Sequence, residues 1–220
     1  MDIKVIITGA TGMVGEGVML ECLAHPAVTE VLLLGRRPNG TTHPKLKECL
    51  VPDFLKLDGL EAQLSGYNAC FFCAGVSSVG MNEADYTRLT YDTTLNVAQK
   101  LAALNPGMVF TYVSGAGTDS TEQGRVMWAR VKGRTENALT RLPFRAVYNF
   151  RPGFIKALPE QRYTKSYYRY VGWLFPILDT LSPNLASTMQ QLGQAMINSV
   201  LKGYPKSILE VKDFKELARV

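Results

Sequence analysis

Histidine is almost missing from this chain: two of 220 residues, His25 and His43, each followed by proline. That count excludes a histidine-rich metal centre. It also removes a serine hydrolase, because neither histidine follows Ser114 and Tyr112 stands where G-x-S-x-G needs its first glycine. The four cysteines do not form a secreted disulfide framework. Cys70-Phe-Phe-Cys73 has the spacing of a redox or zinc pair, but it lies in an apolar strand-like run. Residues three apart in a strand point to opposite faces, so both thiols are read as core. Long basic runs are missing too. The formal net charge is +5, yet no five basic residues are consecutive, so nucleic-acid binding has no support. The longest uncharged apolar run, Val171 to Leu178, is too short to span a bilayer. With no secretory signal pattern before the first strand, the expectation is a soluble cytoplasmic protein.

What is present is a regular alternation of strand-like and helix-like segments with 46% hydrophobic residues. This predicts an α/β, Rossmann-like doubly wound parallel sheet, one domain over 1–220, in which residues from about 155 onward form a short C-terminal substrate-side extension. The chain is organised around Lys4 to Gly15. Val5, Ile6 and Ile7 are a continuous apolar run, as a central parallel strand requires. Gly9, Gly12 and Gly15 then allow a sharp turn, close approach of a pyrophosphate, and a helix lying close to the sheet. Thr8, Gly9, Thr11, Gly12, Met13, Val14 and Gly15 are therefore candidate cofactor residues, with helix N–H groups facing the anion. Val14, Val18, Met19, Cys22 and Leu23 form the inward side of that helix, which ends near Ala24.

The second strand, Val31 to Leu34, runs into Gly35-Arg36-Arg37. An acidic residue here would accept the ribose hydroxyls of NAD; two arginines suit a 2′-phosphate instead, so the expected cofactor is NADP(H) over NAD(H). A third unit passes through Leu50 and Val51 to Asp53, read either as a hydrogen-bond partner for adenine or as an N-cap of a helix over Leu57 to Leu64. Ala69 to Gly75 reads as the fourth strand, whose Ala74 and Gly75 would lie against the cofactor. A long helix spans about Glu83 to Leu104, with Leu89, Leu95, Val97, Ala98 and Leu101 inward. Val109 to Val113 delivers Ser114 and a small-residue loop to the carboxyl edge of the sheet. A helix then carries Trp128 and Lys132, and Phe144 to Phe150 leads into Arg151-Pro152-Gly153.

Together, Thr8-Gly-x-x-Gly-x-x-Gly15, Ala74-Gly75, Ser114, the Lys132 helix and Phe150-Arg-Pro-Gly153 resemble an atypical short-chain dehydrogenase/reductase. The resemblance covers residues 2 to about 155. Within that superfamily, Val131-Lys-Gly-Arg-Thr-Glu136 and the Ser114 to Asp119 loop are similar to the Tat-interacting-protein group of oxidoreductase-like proteins. The resemblance implies that Ser114 orients a substrate carbonyl, that Lys132 holds the nicotinamide ribose, and that Arg151, Pro152 and Gly153 border the cofactor. It also implies a tyrosine four residues before the lysine, where this chain has Trp128. Indole donates a hydrogen bond but is no acid near neutral pH. Tyr112, Tyr148 and Asp119 are the candidates to replace it.

Two readings follow. One is an NADP-dependent oxidoreductase acting on a small carbonyl or alcohol; the other is a cofactor-binding regulatory protein with a protein partner. The aromatic and basic run from Arg162 to Phe175 is assigned to a pocket cover or a subunit contact, such as a homodimer, rather than to lipid or nucleic acid. Gln190 to Leu201 and Phe214 to Ala218 read as helices, and Ser207 to Val211 as an edge strand.

Overall fold

Strand β1 (Ile3–Thr8) is buried along its length except at Lys4, and it pairs in parallel on both edges. A strand flanked and covered on all sides must lie at the centre of its sheet. The computed structural model describes residues 1–164 and 184–219. In it β1 lies between β2 (Val28–Gly35) and β4 (Ala69–Phe72). With β3 (Leu46–Leu50), β5 (Val109–Val113), β6 (Ala146–Arg151) and β9 (Ile208–Glu210), they make a parallel seven-stranded sheet in the order β3-β2-β1-β4-β5-β6-β9. A small parallel pair, β7 (Phe154–Lys156) and β8 (Ala186–Thr188), stands apart from it.

The alternation of β1 divides the core in two. Val5 and Ile7 pack with Val18, Met19 and Cys22 of α1 (Met13–Ala24), and with α6 (Met189–Leu201) and α7 (Val211–Leu217). Ile6 packs on the other face with Leu34, Phe72 and Phe110, under Val97 and Leu101 of α4 (Thr93–Leu104). This is a doubly wound α/β sheet of the Rossmann type. Cys70 and Cys73 fall into the cores of opposite faces, and all four cysteines are free. Burial pushes the Cys73 thiol up to about 12, so it stays protonated at neutral pH.

Several expected boundaries move. The third strand lies upstream, at β3, and the helix expected over 57–64 shortens to α2 (Glu61–Leu64). Asp53 is not its N-cap: its carboxylate accepts the Leu55 N–H at 2.9 Å and holds residues 53–56 in a turn, though Leu57 still reaches the core. The helix expected from Glu83 to Leu104 is α3 (Glu83–Thr87), a π-helical turn over Arg88–Asp92, and α4. A wide turn carries one extra residue and rotates the apolar face, so Tyr86 and Thr90 point inward while Leu89 is 40% exposed. The sixth strand starts at Ala146 rather than Phe144. The expected run at 165–175 lies outside the described residues.

Helix α5 (Met127–Leu139) crosses the loop after β5 so tightly that a Cβ on Gly133 would stand 1.8 Å from the Asp119 carbonyl oxygen. Gly133→Ala is expected to lose about 1–3 kcal/mol of stability through overpacking, read as a lower urea midpoint at unchanged slope.

Candidate functional site

The glycine turn is shaped by close backbone contacts. Gly9 has φ +76°, and a Cβ there would lie 2.7 Å from backbone atoms of Cys73 and Ala74. A Cβ on Gly15 would lie 2.3 Å from the Gly9 oxygen, so α1 can sit on the turn only with glycine at that position. Gly12 is the N-cap of α1 and supplies no side-chain cap. The first-turn N–H groups, those of Met13 and Val14 included, therefore lack a capping side chain and suit a phosphate oxygen. Thr8 acts as a tie instead, since its Oγ1 accepts the Ala74 N–H at 3.1 Å and joins the ends of β1 and β4.

Above this turn lies a cleft of about 790 Å³ at the carboxyl edge of the sheet. Gly9, Thr11, Gly12, Arg36, Arg37, Asp53, Ala74 and Gly75, all chosen from the sequence, line it. Thr8, Met13, Val14 and Gly15 do not line it. Arg36 and Arg37 are exposed, and among the described residues neither makes a hydrogen bond or ion pair with the protein. Asn39 and Glu48 also line the cleft and were not foreseen. Asn39 is 3% exposed; its Nδ2 donates to the Ala10 oxygen and its backbone N–H to Glu48 Oε1, both at 2.7 Å. In sequence it sits in Pro38-Asn39-Gly40, which reads as an ordinary turn. Arg88 and Leu89 enter the lining through the π-helical turn.

A second cluster stands at the end of β5, and none of its members lines that cleft. Ser114 is buried and its hydroxyl donates to Glu136 Oε1 at 2.5 Å. Lys132 Nζ donates to the Ser114 carbonyl oxygen. Burial of the ammonium lowers its pKa to about 8, with the Glu136 carboxylate opposing the shift. Trp128 is half-buried one helical turn before Lys132, with its ring edge against Gly117. Arg151 does not reach toward a cofactor: Nε bonds Glu136 Oε1 at 3.0 Å, and its Nη2 bonds Glu136 Oε2 and Ser120 Oγ, each at 2.5 Å. A carboxylate as buried as Glu136 demands such a partner. Pro152 accepts the Ala116 N–H through its carbonyl, and a Cβ on Gly153 would lie 2.3 Å from the Leu185 oxygen, so this pair shapes the loops.

None of the three substitute acids occupies the cleft lining. Tyr112 is fully buried, which pushes its hydroxyl far above the usual range. The Tyr148 hydroxyl accepts the Tyr204 N–H at 3.0 Å on the α6 side of the sheet. Asp119 is held below the usual carboxylate range by Thr121 and the Gly124 N–H.

The Lys132 shift has a stability consequence of defined sign. Its folded pKa lies below the unfolded value near 10.5, so the unfolded chain binds more protons between pH 8 and 10.5. The penalty is full below about pH 8 and fades as pH rises through that window. The stability of the wild type relative to Lys132→Met should therefore increase from pH 7.5 to pH 10 in urea unfolding.

Residues 5–124 match the model of the NAD dependent epimerase/dehydratase family. The mitochondrial protein fmp52-1 of Aspergillus terreus is 26% identical over 205 residues, covering 90% of this chain and 88% of the relative. Protein HTATIP2 of Rattus norvegicus is 28% identical over 155 residues, covering 69% of this chain and 62% of its own. The structure of the Bordetella bronchiseptica enzyme WbmF in complex with NAD+ superposes with a TM-score of 0.66 at 15% identity, covering 99% of this chain and 77% of that one. The cytoplasmic expectation is overturned by these relatives, because the fmp52 proteins are named as mitochondrial. Charge and hydropathy describe a fold equally well in any aqueous compartment, so they did not decide the address. Among the described residues no helix is long and apolar enough to cross a membrane.

Proposed function

This chain belongs to the NAD dependent epimerase/dehydratase family, and from that premise we propose that it binds NADP(H) in the cleft above the glycine turn. The reading rests on one observation above all: Arg36 and Arg37 line that cleft without partners in the described protein, beside a capless helix N-terminus. The turn takes the pyrophosphate and the arginines take the 2′-phosphate. Asp53 retains a second carboxylate oxygen for the adenine amino group. The family's relation to nicotinamide dinucleotides, and the NAD named with WbmF, support the cofactor class.

The activity proposed is oxidoreduction of a small carbonyl or alcohol, with the bound dinucleotide supplying or accepting the hydride. Lys132, whose Nζ donates to the Ser114 carbonyl oxygen and lies beside Gly115, would hold the nicotinamide ribose. Ser114, whose hydroxyl is already given to Glu136, positions the loop rather than the substrate. Trp128 supplies a donor without an exchangeable acid, so turnover is slow. That same pair of observations favours a second reading, a regulatory protein whose partner contacts follow cofactor occupancy.

Calorimetric titration with NADPH, NADH and their oxidised forms, on protein freed of co-purified dinucleotide, tests the first step. Binding selective for NADP(H), followed by NADPH oxidation in a carbonyl panel, supports the enzyme; binding with no turnover of any substrate supports the regulator. No binding by any dinucleotide defeats both.

A further inference from the structure

The loop that carries Arg36 and Arg37 is held in place from far along the chain. Asn39, two residues after Arg37, bonds the glycine turn through Ala10 and strand β3 through Glu48. Its own oxygens accept from Arg162 and Tyr163, and Oδ1 also accepts the Thr41 hydroxyl. Arg162 Nη2 donates to Thr41 Oγ1 at 2.6 Å and lies 3.2 and 3.3 Å from the backbone and side-chain oxygens of Asn39. The Tyr163 hydroxyl donates to the same Asn39 carbonyl at 3.0 Å.

This strap has its own anchor, and the anchor is unusual. Glu16, in the first turn of α1, is 1% exposed, and its two carboxylate oxygens accept the backbone N–H groups of Arg162 and Tyr163 at 2.9 and 2.7 Å. The Arg162 Nε lies 3.6 Å from the same carboxylate, and Gln161 donates to the Met13 carbonyl at 2.6 Å. A buried carboxylate is costly unless it is paired and hydrogen-bonded. Here its bonds fasten the strap to the phosphate-binding helix, and the strap in turn fastens the arginine loop.

Arg36 and Arg37 have no partner of their own in the described protein, so the loop's other bonds decide where their guanidinium groups stand. The geometry points to Arg162 and Tyr163 as positioning residues that set selectivity for a 2′-phosphorylated dinucleotide. Arg162 itself does not line the cleft. It acts through Asn39 and Thr41 on the two arginines that do. This inference rests on the NADP(H) reading and deepens it.

Loss of the strap's bonds has two separable effects. Removing Arg162 leaves Glu16 less well compensated beside the helix N-terminus, which weakens NADPH and NADH alike. Displacing the loop weakens NADPH only. The ratio of the two dissociation constants isolates the positioning role, because a purely structural role leaves it unmoved.

The test is calorimetry with NADPH and NADH on wild type, Arg162→Ala, Tyr163→Phe, and each combined with Arg36→Ala/Arg37→Ala. Tyr163→Phe keeps every bond to Glu16 and guards against a folding failure of Arg162→Ala. The expected result is a fall in the NADPH preference of about tenfold for Arg162→Ala and about threefold for Tyr163→Phe, as for lost charged and neutral hydrogen bonds. Neither should lower the preference further when both arginines are gone. An unchanged ratio in both single variants, or the same loss in the arginine-free background, overturns the positioning role. Equal affinity of wild type for NADPH and NADH overturns the parent reading, and the inference with it, at the first titration.

Discussion

Arg36→Ala/Arg37→Ala is expected to weaken NADPH binding about 100-fold while leaving NADH within about twofold, since two charge-assisted hydrogen bonds to one phosphate are lost. The physical basis is that neither guanidinium has another partner to satisfy among the described residues. An arginine already paired to a carboxylate, as Arg151 is to Glu136, has bonds to break before it can meet a ligand. Arg36 and Arg37 have none among the described residues, and they line the cleft as exposed side chains. Glu48 lines the same cleft, and its charge opposes a phosphate once the arginines are removed. Calorimetric titration of both reduced cofactors reads the result. A parallel loss for NADPH and NADH would show that the arginines serve the dinucleotide as a whole and not its 2′-phosphate.

Trp128→Tyr is expected to raise carbonyl reduction by NADPH by about 10² to 10⁴-fold, the usual worth of a positioned general acid. Position 128 lies one turn before Lys132 on α5, so a phenol there shares a helix face with the ammonium. That charge favours the phenolate and brings the hydroxyl closer to the operating pH. Indole offers no such proton, and Tyr112, Tyr148 and Asp119 are each engaged elsewhere. The measurement is the loss of nicotinamide absorbance across a panel of small aldehydes and ketones. Equal rates in both proteins would show that position 128 does not govern proton transfer.

The two predictions separate the halves of the site. The first concerns binding, and it stands even in a protein that has given up chemistry. The second concerns chemistry, and it needs the first half intact. A protein that binds NADPH tightly, discriminates against NADH, and gains nothing from Trp128→Tyr would be a cofactor-reading regulator.

The doubly wound parallel sheet and the glycine turn were legible from sequence because they depend on local pattern. Val5, Ile6 and Ile7 admit one kind of strand, and Gly9, Gly12 and Gly15 punctuate its exit at spacings that backbone sterics dictate. Arg36 and Arg37 were legible for the same reason, as their place after β2 follows from chain order. Glu16 shows where this ended. A glutamate in the first turn of a helix reads as solvated, and only the return of residues 162 and 163 from the far end of the chain buries it.

The chain by itself therefore determined the fold, the glycine turn and most of the residues that line the cleft above it. Tertiary structure decided the rest. It withdrew Arg151 into the Glu136 ion pair, gave the Ser114 hydroxyl to the same carboxylate, turned Leu89 outward through a π-helical turn, and hung the arginine loop on Asn39. Each of these depends on which distant group arrives to pair a buried charge or fill a polar valence, and sequence spacing carries no record of that arrival.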